Sequence, residues 1–132
     1  MKPKKYSISD VIRELSGMLK TVCKNVHFES QRTANYEKED EIIFLDVISS
    51  IDDKYLCKDC IIDISIIVKN KEGGVTPMLT LQRMLTDLEA MFPIVGKSFV
   101  AWDPETALSG NDDAGNSVWS TKAKLRIKAI PE

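Results

Sequence analysis

The sequence predicts an α+β domain: a mainly antiparallel five-stranded sheet with two helices packed on one face, in the order α-β-β-β-α-β-β. Three observations carry this prediction. Two segments place apolar residues at helical spacing, five shorter segments have the composition or alternation of strands, and hairpin-length links join most of those strands. The 132 residues leave room for one domain, residues 1–132, with a core of its own.

The first helix is predicted from an apolar stripe and a cap. Ser7 or Ser9 can cap its start, and Asp10 in the first turn suits the positive end of the helix dipole. The stripe consists of Val11, Ile12, Leu15, Leu19 and Val22. Gly17 interrupts the helix at a cost of about 1 kcal/mol relative to Ala, so we expect it to mark a close approach to the sheet.

The second helix lies between two prolines. Thr76 is its predicted cap, Pro77 takes the first helical position, where a missing N–H does no harm, and Pro93 ends the helix. Its apolar face is predicted to comprise Met78, Leu81, Leu85, Leu88 and Phe92.

Five strands complete the predicted sheet, and the two central ones are dense in Ile, Val and Phe. The predicted ranges are Val26–Ser30, Ile42–Ile51, Cys60–Lys69, Lys97–Trp102 and Val118–Ile130. The last strand alternates most regularly, and we place it at an edge of the sheet. Two polar segments, Gln31–Glu41 and Asp103–Asn116, are predicted to be mobile loops or loops that become ordered against partners.

The composition argues against several classes of protein. Eighteen Lys and Arg stand against twenty Asp and Glu, a net charge of −2, whereas a dedicated nucleic-acid binder usually carries a basic excess. Because no apolar run exceeds four residues, we expect no transmembrane helix and no signal peptide. Three cysteines without an export signal indicate a protein made in a reducing cytoplasm.

The two central strands are apolar on both faces, although two helices cover only one. An antiparallel sheet with one wet face alternates more sharply. The surplus apolar side chains are Ile42, Phe44, Ile48, Ile61 and Ile67. We expect them to form a subunit interface, since lone soluble domains seldom expose large apolar patches. The alternative is that loops of the same chain fold back over this face.

The last strand carries a regular basic ladder about 20 Å long. Its members are Lys122, Lys124, Arg126 and Lys128. We predict that they face a partner or the channel of an assembly. Charges on an edge strand also prevent aggregation between strands, and that simpler explanation is at least as good.

A zinc site is a possible alternative. Cys57 and Cys60 form a Cys-x-x-Cys pair. Cys23 and His27 would complete a Cys₃His ligand set if the fold brings the two pairs to the same end of the sheet. Three unrelated thiols, of which some are ordinary core residues, explain the same pattern.

Other chemical motifs are weak. Asp46, Asp63 and Lys69 are the residue types of a metal nuclease, but charges on a solvated or interface face explain them more simply. The tripeptide GKS at 96–98 imitates the end of a phosphate-binding loop, yet it lacks the first glycine and follows a helix instead of a strand. A single histidine leaves almost nothing to act as a base, so we expect no enzyme, no cofactor and no catalytic residue.

The order of elements forms a pattern that covers nearly the whole chain. Its segments are an N-terminal helix SDVIRELSGMLKTV, strands that include IIFLDVISSI and CIIDISIIVK, and a helix that opens with TPMLTLQRML. A strand pair after a long loop completes it. This pattern resembles the tail terminator (tail completion) proteins of long-tailed bacteriophages, a family without a sharp sequence motif.

The resemblance implies a structural subunit that forms a ring, hexameric in this family, on the end of the tail tube. Such a ring ends tube polymerisation and forms the head–tail joining surface. It implies as partners further copies of the chain, the tail tube protein and the head–tail connector protein, with passive contact to translocating DNA and none to a membrane. The protein would be made in the host bacterial cytoplasm and reside in the virion. From the residues alone, a small dimeric α+β binding module or a zinc-stapled domain remains an alternative.

Overall fold

Two α-helices and seven strands form in the part of the chain that the structure, a computed structural model, describes: residues 3–28, 40–108, 110–112 and 115–131. The helices are α1 (Ile8–Leu19) and α2 (Met78–Ala90). The strands are β1 (Val26–Phe28), β2 (Glu41–Val47), β3 (Asp52–Asp53), β4 (Lys58–Lys69), β5 (Ile94–Val95), β6 (Phe99–Ala107) and β7 (Asn116–Ile127). A short 3₁₀ turn, Glu72–Gly74, precedes α2.

The strands form one mixed, hydrogen-bonded sheet in the order β1-β2-β4-β7-β6-β5, and β3 pairs with β4 on the same side as β2. β1 runs parallel to β2, whereas the other paired strands are antiparallel. The prediction of an α+β fold with two helices is confirmed. The predicted count of five strands is wrong for the described residues, because β3 and β5 have two residues each and are too short to show an alternation in the sequence.

Both helices contribute to one core on one face of the sheet. The buried residues are Val11, Ile12, Leu15 and Leu19 from α1 and Leu81, Met84, Leu85 and Leu88 from α2. Alternate residues of the central strands complete this core, for example Ile43 and Leu45 of β2. The opposite face of the sheet is not covered by these two helices.

The start of α1 has the cap that the sequence predicts. The backbone N–H of Asp10 donates to Ser7 Oγ at 3.1 Å, and the N–H of Ser7 donates to the Asp10 carboxylate at 2.9 Å. These hydrogen bonds lower the pKa of the Asp10 carboxyl. The prediction for Gly17 is wrong: Gly17 is exposed, and a Cβ added there meets no atom within 4 Å.

β6 continues well into the segment Asp103–Asn116, which was predicted to be a loop. The strand runs to Ala107 past a bulge between Trp102 and Glu105. Asp103 takes a positive φ of 59° in this bulge. A bulge lets a strand continue past residues that in sequence resemble a turn, so the loop prediction is wrong for the first third of the segment.

Some predicted segments fall on residues outside the described part of the chain. Positions 29–39 include the end of the predicted strand Val26–Ser30 and most of the predicted loop Gln31–Glu41. Positions 109, 113 and 114 belong to the segment predicted as the second loop. The predictions for these positions stay predictions.

Candidate functional site

The face of the sheet opposite the helices, here called the second face, is formed by every other residue of the central strands. On β2 these are Ile42, Phe44 and Asp46; on β4 Asp59, Ile61, Asp63, Ser65, Ile67 and Lys69; on β7 Val118, Ser120, Lys122, Lys124 and Arg126. The strand register places Asp59 beside Arg126 at one end and Ile67 beside Val118 towards the other. One end of the second face is therefore charged, and the other is apolar.

The structure divides the five predicted interface residues into two groups. Ile42, Phe44 and Ile67 form a small buried cluster, and Phe44 is only 7% exposed. Ile48 and Ile61 remain 43% and 39% exposed. A side chain that is already buried in the single chain has little surface left to bring to an interface. Ile48 and Ile61 are therefore the two of this set with surface available to a partner.

The basic ladder lies in the middle of the sheet. β7 pairs with β4 on one side and β6 on the other, so the prediction of an edge strand is wrong. Lys122, Lys124 and Arg126 are exposed on the second face. Lys128 lies beyond the end of β7, and its Nζ donates to the backbone oxygen of Gly96 at 2.8 Å. The ladder therefore has three members on the second face, and its fourth member is engaged elsewhere.

Each of these three basic residues has a carboxylate neighbour. The neighbours are Asp59 for Arg126, Asp103 for Lys124, and Asp63 and Glu105, on the two adjacent strands, for Lys122. The Lys124 Nζ is 3.2 Å from the Asp103 carboxylate. The positive charge of the ladder is therefore largely compensated within the chain. The spacing of charges along the chain does not predict this pairing, because the pairing depends on the strand register.

Asp59 is the most strongly held carboxylate of the second face. Arg126 donates two hydrogen bonds to it, from Nε at 2.7 Å and from Nη2 at 3.0 Å, and the Lys54 Nζ lies 3.0 Å from Oδ2. Arg126 and Lys54 outweigh the effect of burial and lower the pKa of Asp59 to about 2, and Asp59 in turn raises the pKa of both bases. The Arg126 guanidinium also stacks over the Trp102 ring, 5.6 Å from its centroid.

The residues weighed as zinc ligands lie at opposite ends of the sheet. The Cys23 thiol donates to the backbone oxygen of Glu41 at 3.3 Å, and Glu41 is paired in register with Val68 of β4. Cys60 is eight residues away from Val68 along the same strand, or about 26 Å. Because the two pairs cannot meet, the Cys₃His set does not form. The described residues contain no group of three or more His, Cys, Asp or Glu side chains arranged to hold a metal ion.

The nuclease residues are brought together only in part. Asp46 and Asp63 are register partners on β2 and β4, whereas Lys69 is six residues, about 20 Å, further along β4. Asp63 accepts hydrogen bonds from the hydroxyl groups of Ser65, at 3.0 Å, and Ser120. This carboxylate is therefore bound within the sheet, and the lysine is too far away to share a phosphate with it.

The GKS tripeptide forms an anion site that the chain itself fills. The Glu14 carboxylate of α1 accepts hydrogen bonds from the N–H of Lys97 at 2.7 Å, the N–H of Ser98 at 2.8 Å and Ser98 Oγ at 2.6 Å. Burial raises the pKa of Glu14, but these hydrogen bonds outweigh it and the pKa is lowered. A Cβ on Gly96 would lie 2.6 Å from both Glu14 and Phe99. The tripeptide thus attaches α1 to the sheet, a role that no sequence pattern predicts.

Exposed apolar side chains are grouped along the chain at each end of β4, and each group is here called a patch. The hairpin patch consists of Ile51, just before β3, and of Tyr55 and Leu56, between β3 and β4. The helix-start patch, just after the far end of β4, consists of Val75, Met78 and Leu79. The twelve residues of β4 separate the two patches by about 36 Å.

In the helix-start patch, the structure contradicts one prediction and exposes one residue for which the sequence analysis made no prediction. Met78, predicted for the apolar face of α2, is exposed at the first position of the helix. Leu79 is 83% exposed and was not singled out from the sequence. In the sequence, Leu79 lies off the helical stripe of Leu81, Leu85 and Leu88, and this position indicates that its side chain does not face the core.

Comparison with known proteins adds information on the fold. No protein-family model matches the chain, and no curated protein matches it. A solved structure whose name states no function is similar to it, with a TM-score of 0.60 and 9% sequence identity over 94% of each chain. At this identity the similarity shows the fold alone. Within the described residues, no helix has the length and apolar character needed to cross a membrane.

Proposed function

We propose that this chain is the subunit of a phage tail terminator: a homo-oligomeric, hexameric ring that caps the tail tube, ends its polymerisation and forms the head–tail joining surface. The observation that supports the proposal most is the pair of apolar patches at opposite ends of β4. Exposed apolar groups of this kind mark contacts with other proteins.

Two different patches favour a ring over a symmetric dimer. A two-fold dimer uses one patch against its own copy, whereas a head-to-tail contact uses two different patches and closes into a ring when the rotation is right. Ile48 and Ile61 adjoin the hairpin patch, since the Ile48 N–H donates to the Ile61 carbonyl at 3.0 Å beside the hairpin. We therefore assign Ile48 and Ile61 to the same subunit interface.

We assign the basic ladder, Lys122, Lys124 and Arg126, to contacts with the remaining partners. The tail tube protein and the head–tail connector protein meet the faces of a ring, and translocating DNA passes through its channel. Ion pairs offset Lys124 and Arg126, and Lys122 has Asp63 and Glu105 as register partners, so contact with a phosphate backbone would be weak, as passage of DNA requires. The chain acts here as a structural protein of the virion, without a chemical step.

The test is the mass of the purified chain in solution over a wide range of concentration, with electron microscopy of the largest species. A closed six-membered ring, and shorter tubes when that ring is added to a polymerising tail tube protein, are the expected results. A fixed dimer at all concentrations would favour a dimeric binding module. A chain that stays monomeric and leaves tube length unchanged would contradict the proposal.

A further inference from the structure

We infer that neighbouring subunits join by one contact: the hairpin of one copy, residues 51–56, docks at the far end of β4 in the next copy, against the start of α2. This inference rests on the proposed ring and names its interface. The occupant of the docking site is a second copy of this chain. Shape, charge and the rigidity of the hairpin support it.

The far end of β4 has a concavity that suits a protruding hairpin. The space measures about 480 Å³, next to the helix-start patch. Its lining includes Asp40, Glu41, Lys69, Lys71, Pro77 and Thr80. Glu41 is already paired with Arg83, whereas Lys69 and Lys71 are exposed at the rim. The site therefore presents two lysines and one exposed acid, Asp40, beside exposed apolar side chains.

The hairpin carries the matching groups. Asp52 is 72% exposed at its side chain, with the Lys54 Nζ 4.0 Å from its carboxylate, and Tyr55 and Leu56 are exposed beside it. In a head-to-tail contact Asp52 faces the lysines, and Leu56 covers Leu79. A head-to-tail contact therefore brings opposite charges together, which favours this arrangement.

The hairpin is held in place before any partner arrives. The Lys5 side chain, only 5% exposed, reaches Asp53 at 2.6 Å and also donates to the backbone oxygen of Lys54. The Lys54 N–H donates to the carbonyl of Cys57 at 2.8 Å, and its ammonium group is paired with Asp59. A preformed element loses little conformational entropy on binding, which favours its use as a docking element.

Disulfide cross-linking between subunits tests the contact. In a Cys57→Ser background, in which the remaining thiols Cys23 and Cys60 are buried, we would prepare Leu56→Cys and Leu79→Cys separately. Mixed and oxidised, the two variants should give a covalent pair, while each alone should give none. A chain that carries both changes should give a ladder of products that ends at the number of subunits in the ring.

Charge exchange is a second test, independent of cysteine chemistry. Asp52→Lys alone and Lys71→Asp alone should each raise the concentration needed for assembly by about tenfold or more. The variant with both changes should assemble again near the original concentration. Circular dichroism of all three variants checks that the monomer is folded.

The outcomes separate this inference from the proposed function. Cross-linking of Leu56→Cys with itself, or a ring that forms without the mixed cross-link and ignores both charge changes, overturns the docking contact but leaves the ring. Mixed cross-links in open filaments that never close confirm the contact and contradict the tail terminator ring. A chain that stays monomeric at every concentration contradicts both.

Discussion

Arg126 of β7 holds Asp59 of β4 by two parallel hydrogen bonds of 2.7 and 3.0 Å across adjacent strands. Lys54, in the turn of the hairpin, places its Nζ 3.0 Å from the same carboxylate. One aspartate thus connects the centre of the sheet to the element that we propose as the docking hairpin. Protonation of Asp59 should therefore change both the stability of the sheet and the position of the hairpin.

Asp59→Asn should lower the free energy of unfolding by about 1 kcal/mol at pH 7. The pKa of Asp59 is about 2 in the folded chain, below its ordinary 3.8, so its stabilising effect is complete above about pH 4 and is lost as the pH falls towards 2. Urea unfolding of both proteins across this range should show the difference shrinking. Arg126→Lys, which keeps the charge and loses the two-point geometry, should show part of the effect. A constant difference at all pH values would contradict the assignment.

Glu14→Gln should destabilise the chain by about 1–3 kcal/mol at neutral pH, because a charged acceptor of three hydrogen bonds becomes neutral. The lowered pKa of Glu14 means that this stabilisation is present above its ordinary value of 4.5 and is lost as the pH falls below it. Arg13→Gln, an exposed change on the same helix, is the control. Equal unfolding midpoints for the two variants at pH 7 would show that the contact with Lys97 and Ser98 does not hold α1.

Two glycine substitutions should act in opposite directions. Gly96→Ala should cost about 1–3 kcal/mol, because the new Cβ would lie 2.6 Å from Phe99, which is buried, and from Glu14. Gly17→Ala should stabilise by about 0.5–1 kcal/mol, because the position is helical and open. Thermal unfolding of both variants checks this. Stabilisation by Gly96→Ala would mean that the turn relaxes away from α1.

The faces of α2 can be distinguished by two leucines. Leu81→Ala should cost about 2–5 kcal/mol, because Leu81 is fully buried in the core beside Met84 and Leu88. Leu79→Ala should change the stability of the monomer by less than about 0.5 kcal/mol, since Leu79 is exposed. Chemical unfolding at a concentration where the chain is monomeric is the measurement. Similar losses at both positions would contradict the orientation of the helix.

The second face should show the same division between core and surface. Phe44→Ala should cost about 3–5 kcal/mol, because Phe44 is buried with Ile42 and Ile67. Ile48→Ala should leave the monomer within about 0.5 kcal/mol of the original and weaken self-association instead. Unfolding curves and sedimentation of the two variants separate these effects. If Phe44→Ala unfolds at the original denaturant concentration, the buried cluster contributes little to the fold.

Much of the fold could be predicted because it depends on neighbours in sequence. The Ser7–Asp10 cap and the stripe of α1 are properties of one helical segment, and the prediction of α2 between Pro77 and Pro93 rests equally on local residues. The predicted Thr76 cap is wrong, because Pro77 takes the cap position and α2 begins at Met78. β2, β4 and β7 were found from their composition and alternation. By contrast, the strand predicted for this region ends at Trp102, whereas β6 runs to Ala107, because nothing in the sequence indicates that the strand continues past a bulge.

The fold class, the buried stripe of α1, most of the buried face of α2 and the surplus of apolar residues on the central strands follow from the sequence, since periodicity and capping act over a few residues. Contacts between distant parts of the chain establish that β7 is central, that Arg126 faces Asp59, that Phe44 is buried while Ile48 is not, and that Cys23 lies far from Cys60. The physical reason is that strand order and register depend on contacts between residues distant in the chain, and periodicity along one strand carries no information about which strand lies beside it.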